Sequence, residues 1–253
     1  MGQRLQALLW DVDGTLAETE FEGHRHGFNL AFKEAGLPWH WDLETYRGLL
    51  AISGGRERLA AYRHQQGEPP WPREKLETLM AAKQRHYVSL VADGGLALRP
   101  GVAALIAEAQ AADIPQAIVT TSSRSAVAAL LGALAPNLTG AFAFWVCGED
   151  VARKKPDPQG YQLALDQLGV SAGAVVVLED SIAGLAAATA AALPCLVTLS
   201  DLSRAEPAAN FLAAAAVVDN LEPTRGPVQV RRGPACDQTR VTLCYLQRLL
   251  ERR

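Results

Sequence analysis

The chain has 253 residues, 49% of them apolar, and a formal net charge of −3. That length suffices for one large domain or a domain with a smaller insert, and the apolar content for a sizeable core. A weakly acidic chain has no general attraction for nucleic acid or an anionic membrane, so the expected partner is a small molecule.

The first apolar run, 5–10, reads as a buried strand that stops at Asp11, with Asp13 two residues on. Acids at that spacing leave a strand on the same side and repel unless a cation lies between them. From 20 to 91 no strand pattern appears. Helical stretches at 22–36, 53–66 and 73–91 are cut by "LPWHWD" and "GEPPWP", and Trp39, Trp41, Tyr62, Trp71 and Tyr87 fall here. This reads as a helical insert, leaving near Thr19 and returning at "DGGLALRPG", whose glycines give hinge freedom.

Strands are then expected at 116–120, 144–147, 174–179, 195–199 and 215–219, with helices at 101–112, 123–134, 158–168 and 182–192. Such alternation predicts a parallel sheet with helices on both faces and a ligand site outside the carboxyl ends of the strands. The stretch 224–238, rich in Gly, Pro and charge, is expected to be a loop before a last helix with apolar residues at Val241, Leu243, Leu246 and Leu250.

The chemistry collects at the strand ends. The first strand delivers Asp11 and Asp13, the second Thr120, Thr121, Ser122 and Ser123, the loop after the third Lys154 and Lys155, and the fourth Glu179, Asp180 and Ser181. Hard oxygen ligands suit Mg²⁺, which would offset the repulsion among Asp11, Asp13 and Asp180. A lysine and hydroxyls are a cradle for phosphate oxygens. One carboxylate can attack phosphorus and a second can move the proton. Taken singly, "DxDGT" and "LEDS" also read as capped turns, "TTSS" as a helix N-cap and Lys155 as a solvated lysine.

"DVDGTL" from Asp11, the strand ending in Thr120, Lys155 in "KKPDP" and "LEDSIAGLAAA" from Leu178 together resemble the haloacid dehalogenase superfamily over nearly the whole chain. The resemblance implies an α/β fold: a Rossmann-like parallel-sheet core of residues 1–19 and 92–253, with a small α-helical cap domain inserted at 20–91. It implies Asp11 as nucleophile and Mg²⁺ ligand, and Asp13 as acid/base with its backbone carbonyl on the metal. Asp180 is implied as a further ligand with Glu179 acting nearby, and Thr120 and Lys155 as holders of the phosphoryl group.

Within the superfamily, "DVDGTLAETE", "HRHGFNLAF" and "LLAISGGRERL" look like the CbbY-type phosphatases, which remove the 1-phosphate of xylulose 1,5-bisphosphate. That likeness points to Glu20, Tyr46, Gly54, Gly55, Arg56, Glu57 and Arg58 as substrate contacts, beside Asp13, Thr120, Thr121, Ser122 and Lys155. Glycines free backbone N–H groups there, and two arginines can grip a second phosphate. His24 is a candidate for binding sugar hydroxyls or for a structural role. The alternatives are a β-phosphoglucomutase-like phosphomutase, a phosphoglycolate-type phosphatase and a non-catalytic sugar-phosphate sensor.

The resemblance is departed from at the long link "TRGPVQVRRGPACDQTR" and at Trp10, where many relatives carry Phe. The four cysteines, Cys147, Cys195, Cys236 and Cys244, show no metal-ligand spacing and fit a reducing compartment. Met1-Gly2 lacks the hydroxyl residue at position 6 that myristoylation needs, no signal peptide is visible and no run would span a bilayer. The expectation is a cytoplasmic monomer acting on a sugar phosphate.

Overall fold

The computed structural model describes residues 4–223, 225–236 and 238–251. The Met1-Gly2 start, the outermost residues of the expected core segments, and positions 224 and 237 of the tail link lie outside them. Strands β1 (Ala7–Trp10), β2 (Gln116–Val119), β3 (Phe144–Val146), β4 (Val175–Glu179), β5 (Cys195–Thr198), β6 (Ala216–Val218) and β7 (Val230–Arg232) form one sheet in the order β3-β2-β1-β4-β5-β6-β7. The first six run parallel. β7 pairs antiparallel with β6, with an irregularity in register. The chain steps one way from β1 through β2 to β3 and then the other way through β4 to β6, so the topological switch falls between β1 and β4.

Alternation along the buried strands sorts side chains into two layers. Leu8, Trp10, Ile118, Val176, Leu178 and Leu196 join a core with helices α5 (Val102–Ala111), α6 (Arg124–Leu134) and α9 (Leu243–Leu250). Ala7, Leu9, Ala117, Val119, Val175 and Val177 face α7 (Gln159–Leu168) and α8 (Ile182–Ala190). Trp10 fits this dry layer because its indole N–H donates to Gln116 Oε1 at 3.0 Å, while the Gln116 amide donates to the Ile106 carbonyl.

Between β1 and α5 the chain forms a π-helical segment (Glu20–Arg25) and helices α1 (His26–Glu34), α2 (Leu43–Leu49), α3 (Gly55–Gln65) and α4 (Arg73–Ala92). Phe28, Phe32, Trp39, Trp41, Tyr46, Leu49, Leu59 and Leu79 make a separate aromatic-rich core there. Trp39 stacks on Trp71 with centroids 5.2 Å apart. The α4 end reaches the main core through Tyr87 and Val91.

Two expectations need correction. The tail link is not all loop, because it supplies β7. The break after Trp39 is followed at once by α2, capped by Asp42, whose carboxylate accepts from the Thr45 N–H at 2.7 Å. Cys147, Cys195 and Cys236 are buried and Cys244 exposed. No described helix is long and apolar enough to cross a membrane.

Candidate active site

Sheet register brings the acids together. Trp10 lies opposite Leu178, and the Asp11 N–H donates to the Leu178 carbonyl at 3.0 Å. One residue further along each strand, Asp11 meets Glu179 and Asp180, and carboxylate oxygens of the three lie within 4.8 Å of one another. Lys155 enters from the β3–α7 loop. Its ammonium donates to Asp11 Oδ1 at 2.6 Å, Glu179 Oε1 at 2.6 Å and the Val119 carbonyl at 2.7 Å.

One lysine does not balance three buried acids. Burial, and then the Glu179 charge, push the Asp11 carboxyl well above the carboxylate range, Lys155 opposing them. Burial and Glu179 raise Asp180 likewise, against a hydrogen bond from Ser200. Burial alone would lower Lys155, yet Asp11 and Glu179 hold it above the ordinary lysine range. An oxygen-only donor set with surplus negative charge fits a hard divalent cation.

Glu179 has a distinct position. Strand alternation turns it to the α7–α8 side, where it is fully buried. Its Oε1 accepts from Lys155 and from the Tyr161 hydroxyl at 2.9 Å; its Oε2 accepts from the Asp180 and Ser181 N–H groups and the Ser181 hydroxyl. Gly184 leaves room for it, since a Cβ there would sit 1.8 Å from Oε1. Both oxygens are thus taken up by the protein.

Asp13 points the other way, toward the helical segment. Its Oδ1 receives the Thr19 hydroxyl and lies 2.9 Å from His24 Nε2, and its Oδ2 accepts from the Ser122 hydroxyl at 2.5 Å. Burial would raise its pKa, but His24 and the three hydrogen bonds outweigh it and hold the carboxyl well below the usual range. His24 stacks on Tyr87 at 4.4 Å, and its Nδ1 lies 2.8 Å from Lys83 Nζ. Burial brings Lys83 down to about 8, Asp13 and Glu20 opposing.

Of the hydroxyl cluster, Thr120 Oγ1 accepts from the Ser122 N–H at 3.1 Å, and Thr121 lines the cavity. Ser123 is the N-cap of α6 and Ser181 that of α8, so the capping reading holds for these two.

The helical segment contributes a second constellation. The Tyr46 hydroxyl donates to Glu20 Oε2 at 2.6 Å and accepts from Arg58 Nη1 at 2.8 Å. Arg58 is buried, and its Nε has no hydrogen-bond partner. Arg56 forms a two-pronged pair with Glu77 at 2.8 and 2.7 Å and lines the same cavity as Arg58. Glu57 pairs across the mouth with Lys154 at 2.7 Å. Gly54 has φ +95°, which favours glycine, and a Cβ there would displace the ends of the Glu57 and Lys154 side chains.

Two cavities meet at a wall formed by Asp13, Glu20, Arg58 and Thr121. One, of about 570 Å³, contains Asp11, Lys155 and Asp180. The other, of about 400 Å³, contains Gly54, Gly55, Lys83, Ser122 and Lys154. A larger hollow of about 650 Å³ opens at the β3 edge among Phe144, Trp145 and Asp150, and no residue of the acid cluster reaches it. Thr19, Lys83, Tyr161 and Ser200 escaped the sequence reading. Lys83 and Tyr161 act across a distance in sequence, and Thr19, six residues from Asp13, sits in no local pattern.

Residues 5–192 match the haloacid dehalogenase-like hydrolase family. The chain is 45% identical over 219 residues to the protein CbbY of Cereibacter sphaeroides, covering 85% of this chain and 92% of that protein. It is 40% identical over 220 residues to a CbbY-like protein of Arabidopsis thaliana, covering 84% and 68%. Among solved structures, CbbY from Rhodobacter sphaeroides in complex with xylulose 1,5-bisphosphate superposes with a TM-score of 0.80 at 43% identity, over 85% of this chain and 94% of that one. A β-phosphoglucomutase from Clostridium difficile, at 20% identity and TM-score 0.70, shares the fold. With the family matched over most of its length and the acid cluster at the sheet's switch point, the chain belongs to the haloacid dehalogenase-like hydrolases.

Proposed function

We propose that this hydrolase, a phosphatase of the CbbY type, removes the 1-phosphate of xylulose 1,5-bisphosphate through an aspartyl-phosphate, with residues 20–91 acting as a cap domain. The observation that carries the proposal is the pair of cavities joined at Asp13: one holds the acids and Lys155, and the other sets Arg56, Arg58, Lys83 and Lys154 against Asp13, Glu20 and Glu149. A substrate with a phosphate at each end of a short polyol chain suits that pairing.

A divalent cation, taken to be Mg²⁺ and held by Asp11, Asp180 and the Asp13 backbone carbonyl, would neutralise phosphoryl charge. Lys155 and the Thr120 hydroxyl would hold phosphoryl oxygens. Glu179 fixes Lys155 from behind, since its own oxygens are already engaged. Asp11 would attack phosphorus, the bond to the sugar oxygen would break, and Asp13 would protonate that oxygen. In the second half Asp13 would take a proton from water, whose oxygen attacks phosphorus and frees Asp11 and phosphate. The low pKa of Asp13 keeps it ionised and so free to accept a proton, but a weak base until its present hydrogen bonds are exchanged; for the acid role it must first gain a proton.

Glu20, Tyr46 and Arg58 would read the polyol and the second phosphate, together with Lys154 and the amino end of α3 at Gly54 and Gly55. The experiment is phosphate release from xylulose 1,5-bisphosphate, glucose phosphates, phosphoglycolate and an aryl phosphate at fixed Mg²⁺. A kcat/KM for the ketose bisphosphate no higher than for the aryl phosphate refutes the substrate assignment.

A further inference from the structure

Arg99 lies in the return link, outside every motif named above, and is 6% exposed. Its Nη1 donates to the Gly14 carbonyl and, at 3.1 Å, to the Thr198 carbonyl. Its Nη2 donates to the Leu199 carbonyl at 2.6 Å and to Asn220 Oδ1 at 3.4 Å, and its Nε lies 3.0 Å from Glu18 Oε1. Its backbone N–H donates to the Leu16 carbonyl at 2.8 Å. One guanidinium thus ties the loop after β1, the ends of β5 and β6, and both links to the helical segment.

Two of those segments flank Asp180. A Cβ on Gly14 would fall 2.2 Å from Asp180 Oδ2, so the Gly14 backbone lies directly against the carboxylate. Ser200, next to Leu199, is also a neighbour of Asp180, with its hydroxyl 3.1 Å from that of Ser203. Arg99 holds the carbonyls of Gly14 and Leu199 in one rigid fork, and so fixes the spacing of the two walls around Asp180. A lysine has no such fork and can satisfy only part of it.

We propose that Arg99 is a positioning residue that sets the Asp180 carboxylate for divalent-cation binding; this rests on the metal reading above. Groups that orient metal ligands from behind typically change metal affinity about 10–100-fold when removed. The test is a titration of wild type, Arg99→Lys and Arg99→Met with Mn²⁺, followed by electron paramagnetic resonance without substrate, beside thermal melting in EDTA. Arg99→Met is expected to bind Mn²⁺ at least tenfold more weakly and Arg99→Lys three- to tenfold more weakly. The kcat of Arg99→Lys should recover on raising Mg²⁺, with KM for substrate within threefold of wild type. A loss of affinity below threefold in a folded variant overturns the proposal. Should Arg99→Met not fold, Arg99→Lys decides; should neither fold, Arg99 is a fold determinant and the proposal is likewise overturned. If wild type itself binds no Mn²⁺, it is the metal reading that fails.

Discussion

Asp180→Asn should make the metal-free protein more stable while removing its activity. Asp180 is buried, its carboxylate lies within 4.8 Å of those of Asp11 and Glu179, and Lys155 donates to the other two acids. At that separation and an effective dielectric of about 20, each like-charge pair costs roughly 3 kcal/mol. Ser200 and Arg99 return part of this, so a net gain of about 2 kcal/mol is expected on neutralising the residue, or ~4–8 °C in Tm for a chain of this size. The sign with pH follows from the raised folded pKa. Below the unfolded value of 3.8 both forms of the protein carry a neutral group and the difference vanishes; as pH rises through and above it, ionisation penalises only the wild type. The advantage of the variant should therefore be present at pH 7.5 and nearly absent near pH 4. Saturating Mg²⁺ reverses the order: at 100 times its Kd it adds about 2.7 kcal/mol to the wild type and little to the variant. Calorimetry in EDTA and in Mg²⁺ at the two pH values reads all of this. A variant that melts at or below wild type in EDTA at pH 7.5 refutes the reasoning, because the acids would then not be repelling one another.

Asp11→Asn should lose all turnover on every phosphate ester yet melt no lower than wild type in EDTA; retained turnover would exclude the covalent route. Arg58→Met should raise KM for the bisphosphate more than tenfold and that for an aryl phosphate less than threefold, whereas Arg56→Ala should change either less than threefold. Equal effects of Arg58→Met on both substrates would make that arginine structural. Burial holds Lys83 at about 8 against an ordinary 10.5, so the unfolded chain binds the proton more tightly between those values. Wild-type stability relative to Lys83→Met should then rise by up to about 3 kcal/mol from pH 8 to 10.5, as measured by urea unfolding; a difference independent of pH would contradict the buried position.

The parallel core was legible because most of its strands are apolar runs broken by a polar residue at the carboxyl end, and parallel register then fixes which ends meet. β7 carried no such signal: Val230–Arg232 is held at the sheet edge by backbone pairing and by bonds from its two exposed arginines to Asp219 and to the Ala214 carbonyl. α2 was hidden because its seven residues follow a proline- and tryptophan-rich break. The different partners of Arg56 and Arg58 follow from helix geometry, since residues two apart leave the helix about 200° apart. Arg56 is held by Glu77, and both arginines line the second cavity. Lys83 meets His24 across 59 residues and looks like any other lysine in a helix.

The charge of the site is segregated, and that bears on selectivity. The sheet side carries Asp11, Asp13, Glu179 and Asp180 against Lys155; the helical side carries Arg58 and Lys83 against Glu20, and the Lys154–Glu57 pair joins the two. On the proposed reading the cation completes the first half before substrate arrives, but only an anion completes the second. Arg58 is already desolvated and has an Nε without a partner, so most of the cost of drying that cation is met in the fold itself. A monophosphate would leave that half uncompensated while the site is closed, whereas a second phosphate would satisfy it. Discrimination between the two substrates would then come from buried Arg58, which rests on the Tyr46 hydroxyl and 3.6 Å from Glu20 and would gain a further partner only from the second phosphate.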